Sequence, residues 1–262
     1  MRTIAIIGGG FTGTAAAIRL CRISSSKLIV YVVEPRRELG GGLAYGGDDP
    51  DHRVNGTHHL LVLFPDDIGH FSRWYEASGA STRDPEAGAE QGVKFVRRTD
   101  VRRYLQETLA RTVAENPYGS EVHHIRSRAT GVKRLGSGVH IELESARTLE
   151  PDLAILAFGG QRPSPINVSS ADVRSHPGYI GDPFDAEALE SIPTNNKVLL
   201  IGTGLTSADV LATLSRRGHR GAITAISRRG LLPEPQGAPP DVAALMQRLS
   251  RPVPRFIERH GE

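Results

Sequence analysis

The chain has one cysteine, four lysines, one tryptophan and no apolar run long enough to cross a bilayer. Each shortage closes a class of function. A single thiol, Cys21, allows neither an intrachain disulfide nor a C-x-x-C redox pair, and its place near the end of an apolar helix pattern suits a small buried side chain. With lysine only at Lys27, Lys94, Lys133 and Lys197, the formal charge of +3 comes from scattered arginine. There is no dense basic stripe interleaved with aromatics, so no nucleic-acid partner is expected. No segment approaches about 18 consecutive apolar residues and the N-terminus lacks a charged-then-apolar leader, which leads to the expectation of a cytoplasmic protein with no membrane partner. A G-x-S-x-G elbow and a P-loop lysine are both missing, so hydrolase and triphosphatase chemistry has no starting residue.

Against those absences stand two glycine-punctuated segments, IAIIGGGFTGTAAAI from Ile4 and VLLIGTGLTSADVL from Val198. In each, an apolar β-branched run stops at a glycine and a helical pattern begins within a few residues, the order strand, tight turn, helix of a dinucleotide fingerprint. Gly8 permits the turn, Gly10 lets backbone approach a pyrophosphate, and Gly13 lets the helix pack on the strand. Gly202, Gly204 and Ser207 take those places in the second copy. The helix N-termini would face the phosphates with unpaired N–H groups. After the first copy the run LIVYVVEP ends on Glu34, 26 positions beyond Gly8, where a carboxylate accepts from an adenosine ribose. The same count from Gly202 reaches Arg228, followed by Arg229. An acceptor suits a ribose hydroxyl and a guanidinium suits a 2′-phosphate, so the first site reads as FAD or NAD and the second as NADP. The plainer alternative is that both arginines end an exposed strand.

The chain's 262 residues suffice for one large or two modest domains. The expected fold class is α/β: a Rossmann-like FAD-binding domain with a β-meander over residues 1–165, then a reduced Rossmann-like NAD(P)-binding unit over 166–262. Glu34 to Phe64 is a glycine-rich ordered loop, of a length that usually serves function. Ile68, Phe71, Trp74 and Tyr75 recur at helical spacing, with Trp74 and Tyr75 as packing residues. Thr99 is expected to cap a helix with the apolar face Val101, Tyr104, Leu105 and Val113. Glu121 to Leu149 reads as a meander around the glycines 136 and 138, PDLAILAFGG as a strand closed by Gly159, and RPSP at 162–165 as a linker. After PEPQGAPP only one helix pattern remains, about residues 242–249, fewer elements than a second doubly wound domain requires.

The segments IIGGGFTGT, VEPRRELGGGLAYG, DPDHRVN, FPDDIGHFSRW, VLLIGTGLTSADV and ITAISRRGLLP, in that order, resemble the FAD/NAD(P)-binding oxidoreductases of the flavin monooxygenase-like, two-dinucleotide type, and within them a bacterial group of FAD-NAD(P)-binding proteins. The resemblance implies that Gly8, Gly10, Phe11, Thr12 and Gly13 hold the FAD pyrophosphate and Glu34 the ribose. Pro35, Arg36, the loop Gly41, Gly42, Leu43, Ala44 and Tyr45, and Gly159 would line more of that cofactor. Asn55 would lie near the isoalloxazine and bond to reduced or oxygenated flavin. Gly202, Gly204, Leu205, Thr206 and Ser207 would meet the NADP pyrophosphate, with Arg228 and Arg229 on the 2′-phosphate. The implied activity is hydride transfer from NADPH to flavin and on to a small-molecule substrate or O₂. Relatives of this kind continue further and supply a late Asp to the ribityl chain, a segment not found here; either the sequence is a shortened piece, or the gene product is reduced, or a homo-oligomer or partner chain completes the site. Two other readings stay open: a nucleotide-binding module without independent catalysis, and an NAD enzyme using Glu34 alone.

Several residues carry an ordinary reading beside the functional one. His52, His58, His59 and His70 fall close together, but adjacent His58 and His59 are expected to point apart in an extended chain, and no ligand spacing is completed, so no metal is expected. One of these histidines could act as an acid–base group beside the flavin, since imidazole titrates near neutrality. Asn55 could simply bond its own loop backbone. Asp209 reads as a solvated carboxylate early in the second fingerprint helix rather than as a catalytic group.

Overall fold

The computed structural model describes residues 2–88, 93–136, 138–160 and 171–233, together with Asp241, Ala244 and Gln247. In chain order its elements are β1 (Arg2–Ile7), α1 (Phe11–Ile23), β2 (Leu28–Val33), α2 (Gly42–Tyr45), α3 (His70–Ala77), α4 (Ala80–Arg83), α5 (Arg98–Ala114) and β3 (Glu121–Ile125). They continue with β4 (Ala129–Leu135), β5 (Gly138–Leu143), β6 (Thr148–Leu149), β7 (Leu153–Leu156), α6 (Ala171–Ser175), α7 (Ala186–Glu190), β8 (Val198–Ile201), α8 (Leu205–Arg216) and β9 (Ile223–Ile226). Two compact units can be distinguished: residues 1–53 with 97–233, and residues 54–96 with 234–262. Both fingerprints lie in the first. The linker at 162–165, with the 165/166 boundary, and the late helix pattern at 242–249 fall largely outside the described residues.

The first unit is built on a parallel sheet in the order β3-β2-β1-β7. Its central strands are apolar on successive residues because both faces are covered. Ala5, Ile7 and Val33 pack on Ile141 and Leu143 of β5. α1 lies against β1, β2 and α5, and buries Ala17, Ile18 and Cys21. The antiparallel set β4-β5-β6 turns at Gly136, with φ +54°. β8 and β9 form a second, two-stranded parallel sheet beside α8, whose Val210 and Leu214 pack with Leu189. Leu199, Ile201 and Ile226 are exposed on that sheet.

Two expectations need correction. β3 belongs to the parallel sheet, not to the meander: α5 forms the crossover that returns the chain beside β2. Its EVHHI sequence, part polar because it is an edge strand, disguises a parallel neighbour. Thr99 does not cap α5, which starts at Arg98 behind Arg97 with no side-chain cap. The Arg98 N–H instead donates to the His52 carbonyl at 3.0 Å, so a tertiary contact satisfies a group that a cap would otherwise serve.

In the second unit, α3 buries Phe71 and Tyr75 with their rings stacked, while Trp74 is half-buried. Ile68 precedes the helix and is exposed. No described helix is long and apolar enough to cross a membrane.

Candidate functional site

The first fingerprint is a loop held from three sides. Gly8 turns with φ +103°, and a Cβ there would stand 2.3 Å from the Ala157 carbonyl oxygen just beyond β7. A Cβ on Gly13 would meet the Gly8 carbonyl at 1.8 Å, so only glycine lets α1 start this close to β1. The Gly9 N–H donates to Glu34 Oε2 at 2.9 Å, and the Gly9 carbonyl accepts from the Gly40 N–H at 2.7 Å and from Thr14 Oγ1 at 3.1 Å. Glu34 is 3% exposed, and its Oε1 accepts from the Arg36 N–H at 3.0 Å and from Arg36 Nη1 at 3.2 Å. Gly10 begins α1 without a side-chain cap or an acid in the first turn, which leaves the helix N-terminus suited to an anion. Gly42 lies against Gly10, a Cβ on Gly10 coming within 3.2 Å of the Gly42 Cα, and the Phe11 and Tyr45 ring centroids are 5.8 Å apart. The structure thus joins Gly8, Gly10, Phe11, Thr12, Gly13, Glu34, Arg36, Gly41, Gly42 and Tyr45 around one loop. Gly159, with φ +67°, follows Ala157 at its edge. Pro35 and Ala44 are exposed and Leu43 is half-buried.

The second fingerprint repeats this backbone. Gly202 has φ +113°, its N–H donates to the Ile226 carbonyl at 2.8 Å as that of Gly8 does to Val33 at 2.9 Å, and Gly204 starts α8 with ψ −174° where Gly10 has −163°. Leu205 and Thr206 are exposed in the first turn, and Ser207 Oγ donates to the Gly204 carbonyl at 2.6 Å. The register corrects the count made from sequence. Ile7 pairs with Val33 and Ile201 with Ile226, so Ser227, not Arg228, occupies the place of Glu34. The second connection is one residue shorter, α8 having 12 residues where α1 has 13. Arg228 and Arg229 follow Ser227, both exposed.

Within the same unit, a cavity of about 440 Å³ opens beside Gly42 and continues along Leu43, Gly46 and Gly47 to Phe184 and Leu189. Its polar wall is a network unrecognised from sequence. Asp49 Oδ2 accepts from Thr213 Oγ1 at 2.7 Å and Arg216 Nη2 at 2.8 Å, His52 Nε2 lies 3.0 Å from Thr213 Oγ1, and Arg98 Nη2 pairs with Asp209 Oδ2 at 2.8 Å. Burial alone would raise the Asp49 carboxyl, but the bonds from Arg216, Thr213 and the Asp51 N–H hold it at about 2. Burial pushes the Asp209 carboxyl up, against the pull of Arg98. Burial also raises the Tyr45 phenol. Asp209 is therefore not the solvated carboxylate expected; its side chain is 13% exposed and ion-paired. The spacing of Asp209, Thr213 and Arg216, one face of a helix, is the sequence signal that could have revealed the network.

Asn55 belongs to the other compact unit, exposed on a bend after Val54. In that unit His58 and His59 do not point apart. They share a 3₁₀ turn, His58–Leu60, with ring centroids 3.8 Å apart. The Lys94 N–H donates to His58 Nδ1 at 3.1 Å, and burial lowers the His58 pKa to about 4. Among the described residues no group of three His, Cys, Asp or Glu side chains is placed to hold a metal.

Residues 5–161 match a family model described as FAD-NAD(P)-binding. The sequence has no significant match among curated proteins. Among solved structures it is similar to a flavin-containing monooxygenase from Stenotrophomonas maltophilia, with 19% identity and a TM-score of 0.54 over 90% of this chain and 60% of that one. It is also similar to an ornithine N-hydroxylase from Kutzneria sp. 744 in complex with reduced FAD, NADP⁺ and L-ornithine, with 16% identity and a TM-score of 0.57 over 87% of this chain and 53% of that one. A cyclohexanone monooxygenase matches at 16% identity and a TM-score of 0.51, over 86% of this chain and 40% of the other. The chain thus spans three fifths or less of the length of these structures.

Proposed function

Because the chain belongs to the FAD-NAD(P)-binding family, we propose that it is an FAD-dependent oxidoreductase that takes its electrons from NADPH. The observation that carries this reading is the repeated crossing, two strand–glycine–helix turns of the same backbone conformation in one compact unit, one followed by a carboxylate and the other by Ser227, Arg228 and Arg229. The glycine cradle fits a dinucleotide: a Cβ at Gly10 would stand 3.2 Å from the Gly42 Cα and one at Gly42 2.9 Å from the Gly10 Cα, so only glycines let the two loops meet at the start of α1. In this reading the start of α1 would hold the FAD pyrophosphate, Glu34 the adenosine ribose, and Gly42, Leu43 and the other cavity residues the flavin half. Gly202 to Ser207 receive the NADPH pyrophosphate and the two arginines its 2′-phosphate. Bound FAD would supply a two-electron carrier between NADPH and a small-molecule substrate or O₂. The protein's own task is to orient the two nucleotides and keep water out. Asn55 is proposed to bond to the flavin edge, and oxygenation of the substrate is the proposed outcome.

The test is to denature the purified protein, identify the released nucleotide by chromatography, and add NADPH anaerobically to the native protein. FAD and a bleached flavin band are expected. FMN or NAD alone would refute the assignment. A second reading, a nucleotide-binding module completed by another chain, is favoured by the exposed Leu199, Ile201 and Ile226 on the two-stranded sheet. It predicts bound FAD that NADPH does not bleach.

A further inference from the structure

The cavity wall holds a histidine whose two ring nitrogens have different surroundings. His52 lines the cavity, and its side chain is 16% exposed. Nε2 lies 3.2 Å from the Asp209 backbone carbonyl and 3.0 Å from Thr213 Oγ1. A carbonyl can only accept, so Nε2 must carry the proton. Thr213 has one hydroxyl proton, and Asp49 Oδ2 at 2.7 Å is its nearest acceptor, closer than the Asp209 carbonyl at 3.2 Å. The Thr213 oxygen is then left to accept from His52. A directed chain results: His52 Nε2–H to Thr213, Thr213 to Asp49, with Arg216 on the same Asp49 oxygen. Nδ1 has no hydrogen-bond partner among the described residues.

We propose that His52 is the proton-exchanging residue of this cavity, with Nδ1 as the working atom and Thr213 and Asp49 fixing its tautomer. The inference rests on the reading that the flavin half of FAD occupies the cavity. Neutral His52 accepts one proton at Nδ1 from a dissociable N–H of the ligand, which keeps the electron pair, and the reverse step returns it. The resulting imidazolium is faced by the carboxylate of Asp49, 3.7 Å from Nε2, and that of Asp209, each already paired with an arginine, Arg216 and Arg98. Among the described residues, Asp51, beside Arg216, and Arg36, Asp48 and Glu190 on the cavity wall are further charged groups of its surroundings. Positioned acid–base groups of this kind contribute roughly a hundredfold or more to rate.

Three measurements test this. Long-range ¹H–¹⁵N NMR of the flavin-free protein at neutral pH should show His52 protonated at Nε2, and Thr213→Val should mix the tautomers; a His52 ring protonated at Nδ1 in the unaltered protein would overturn the inference whatever cofactor binds. Diethyl pyrocarbonate, with modified sites read by mass spectrometry, should label His52 in the free protein and several-fold more slowly at saturating FAD, while exposed His123 reacts equally in both. If FAD binds and leaves His52 labelling unchanged, the cavity does not hold the flavin half: the inference falls and FAD binding stands. If FAD does not bind at all, the cofactor reading falls first and the inference with it. At saturating FAD, His52→Gln should lose one limb of the pH profile of NADPH oxidation, with a rate at neutral pH lower by roughly a hundredfold or more. An unchanged profile refutes the role.

Discussion

Gly8 and Gly202 offer a matched pair of substitutions. Both have φ beyond +100°, so alanine at either costs about 1–2 kcal/mol in backbone strain alone. Their surroundings differ. A Cβ on Gly8 would stand 2.3 Å from the Ala157 oxygen and 2.8 Å from the Phe158 Cα, backbone atoms that can yield only if β7 moves, whereas a Cβ on Gly202 meets nothing within 4 Å among the described residues. Forcing extra volume into a packed site costs roughly a further 1–3 kcal/mol. At about 2–4 °C per kcal/mol for a chain of this size, Gly202→Ala should lower the melting temperature by roughly 2–8 °C and Gly8→Ala by roughly 4–20 °C. The assay is thermal unfolding of the two single variants and the parent in one buffer without added nucleotide, followed by FAD and NADPH titrations. Gly8→Ala should also lose FAD, while Gly202→Ala should keep it and bind NADPH more weakly. Equal loss of stability in the two variants, or the greater loss at Gly202, would show that the crossing of β7 beneath Gly8 is not the constraint described.

Glu34→Gln leaves one amide oxygen where two carboxylate oxygens serve Gly9 and Arg36, and should weaken FAD binding by roughly tenfold or more in a flavin fluorescence titration; an unchanged Kd would separate Glu34 from the cofactor. Replacing Arg228 and Arg229 together by Ala should erase an NADPH preference of roughly tenfold to a hundredfold and leave NADH binding little altered. Equal use of NADH and NADPH by the unaltered protein would refute the 2′-phosphate role. His58, with a folded pKa of about 4 against its ordinary 6.5, binds its proton more readily in the unfolded chain. Its contribution is complete above pH 6.5 and declines as pH falls toward 4, by up to about 2–3 kcal/mol. Trp74, the one tryptophan, lies in the same compact unit and reports its unfolding by fluorescence; a denaturation midpoint constant from pH 7.5 to 4.5 would refute this.

The sequence exposes whatever is local. Each fingerprint is a strand, a glycine turn and a helix within about twenty residues, and periodicity together with glycine chemistry identifies them. The central strands β1 and β2 are legible for the same reason. What escapes depends on register or on distant contacts. The counterpart of Glu34 is misplaced by one position, on Arg228 instead of Ser227, because counting along the chain assumes equal connections, and only the pairing of Ile201 with Ile226 reveals the shorter one. β3 is misassigned because an edge strand is half polar wherever it pairs. The Asp49–His52–Thr213 chain unites residues more than 150 positions apart, and no window of sequence contains it. The start of α5 is misread because the His52 carbonyl, rather than a neighbouring hydroxyl, serves its first N–H.

The polar groups of Gly9 are satisfied within the chain, by Glu34, Gly40 and Thr14. A loop whose backbone is fixed beforehand does not lose conformational freedom when its ligand arrives, so association should resemble docking onto a finished surface rather than folding around a template. The cofactor-free protein should therefore survive removal of FAD intact, and be reloaded by simple mixing without passage through denaturant.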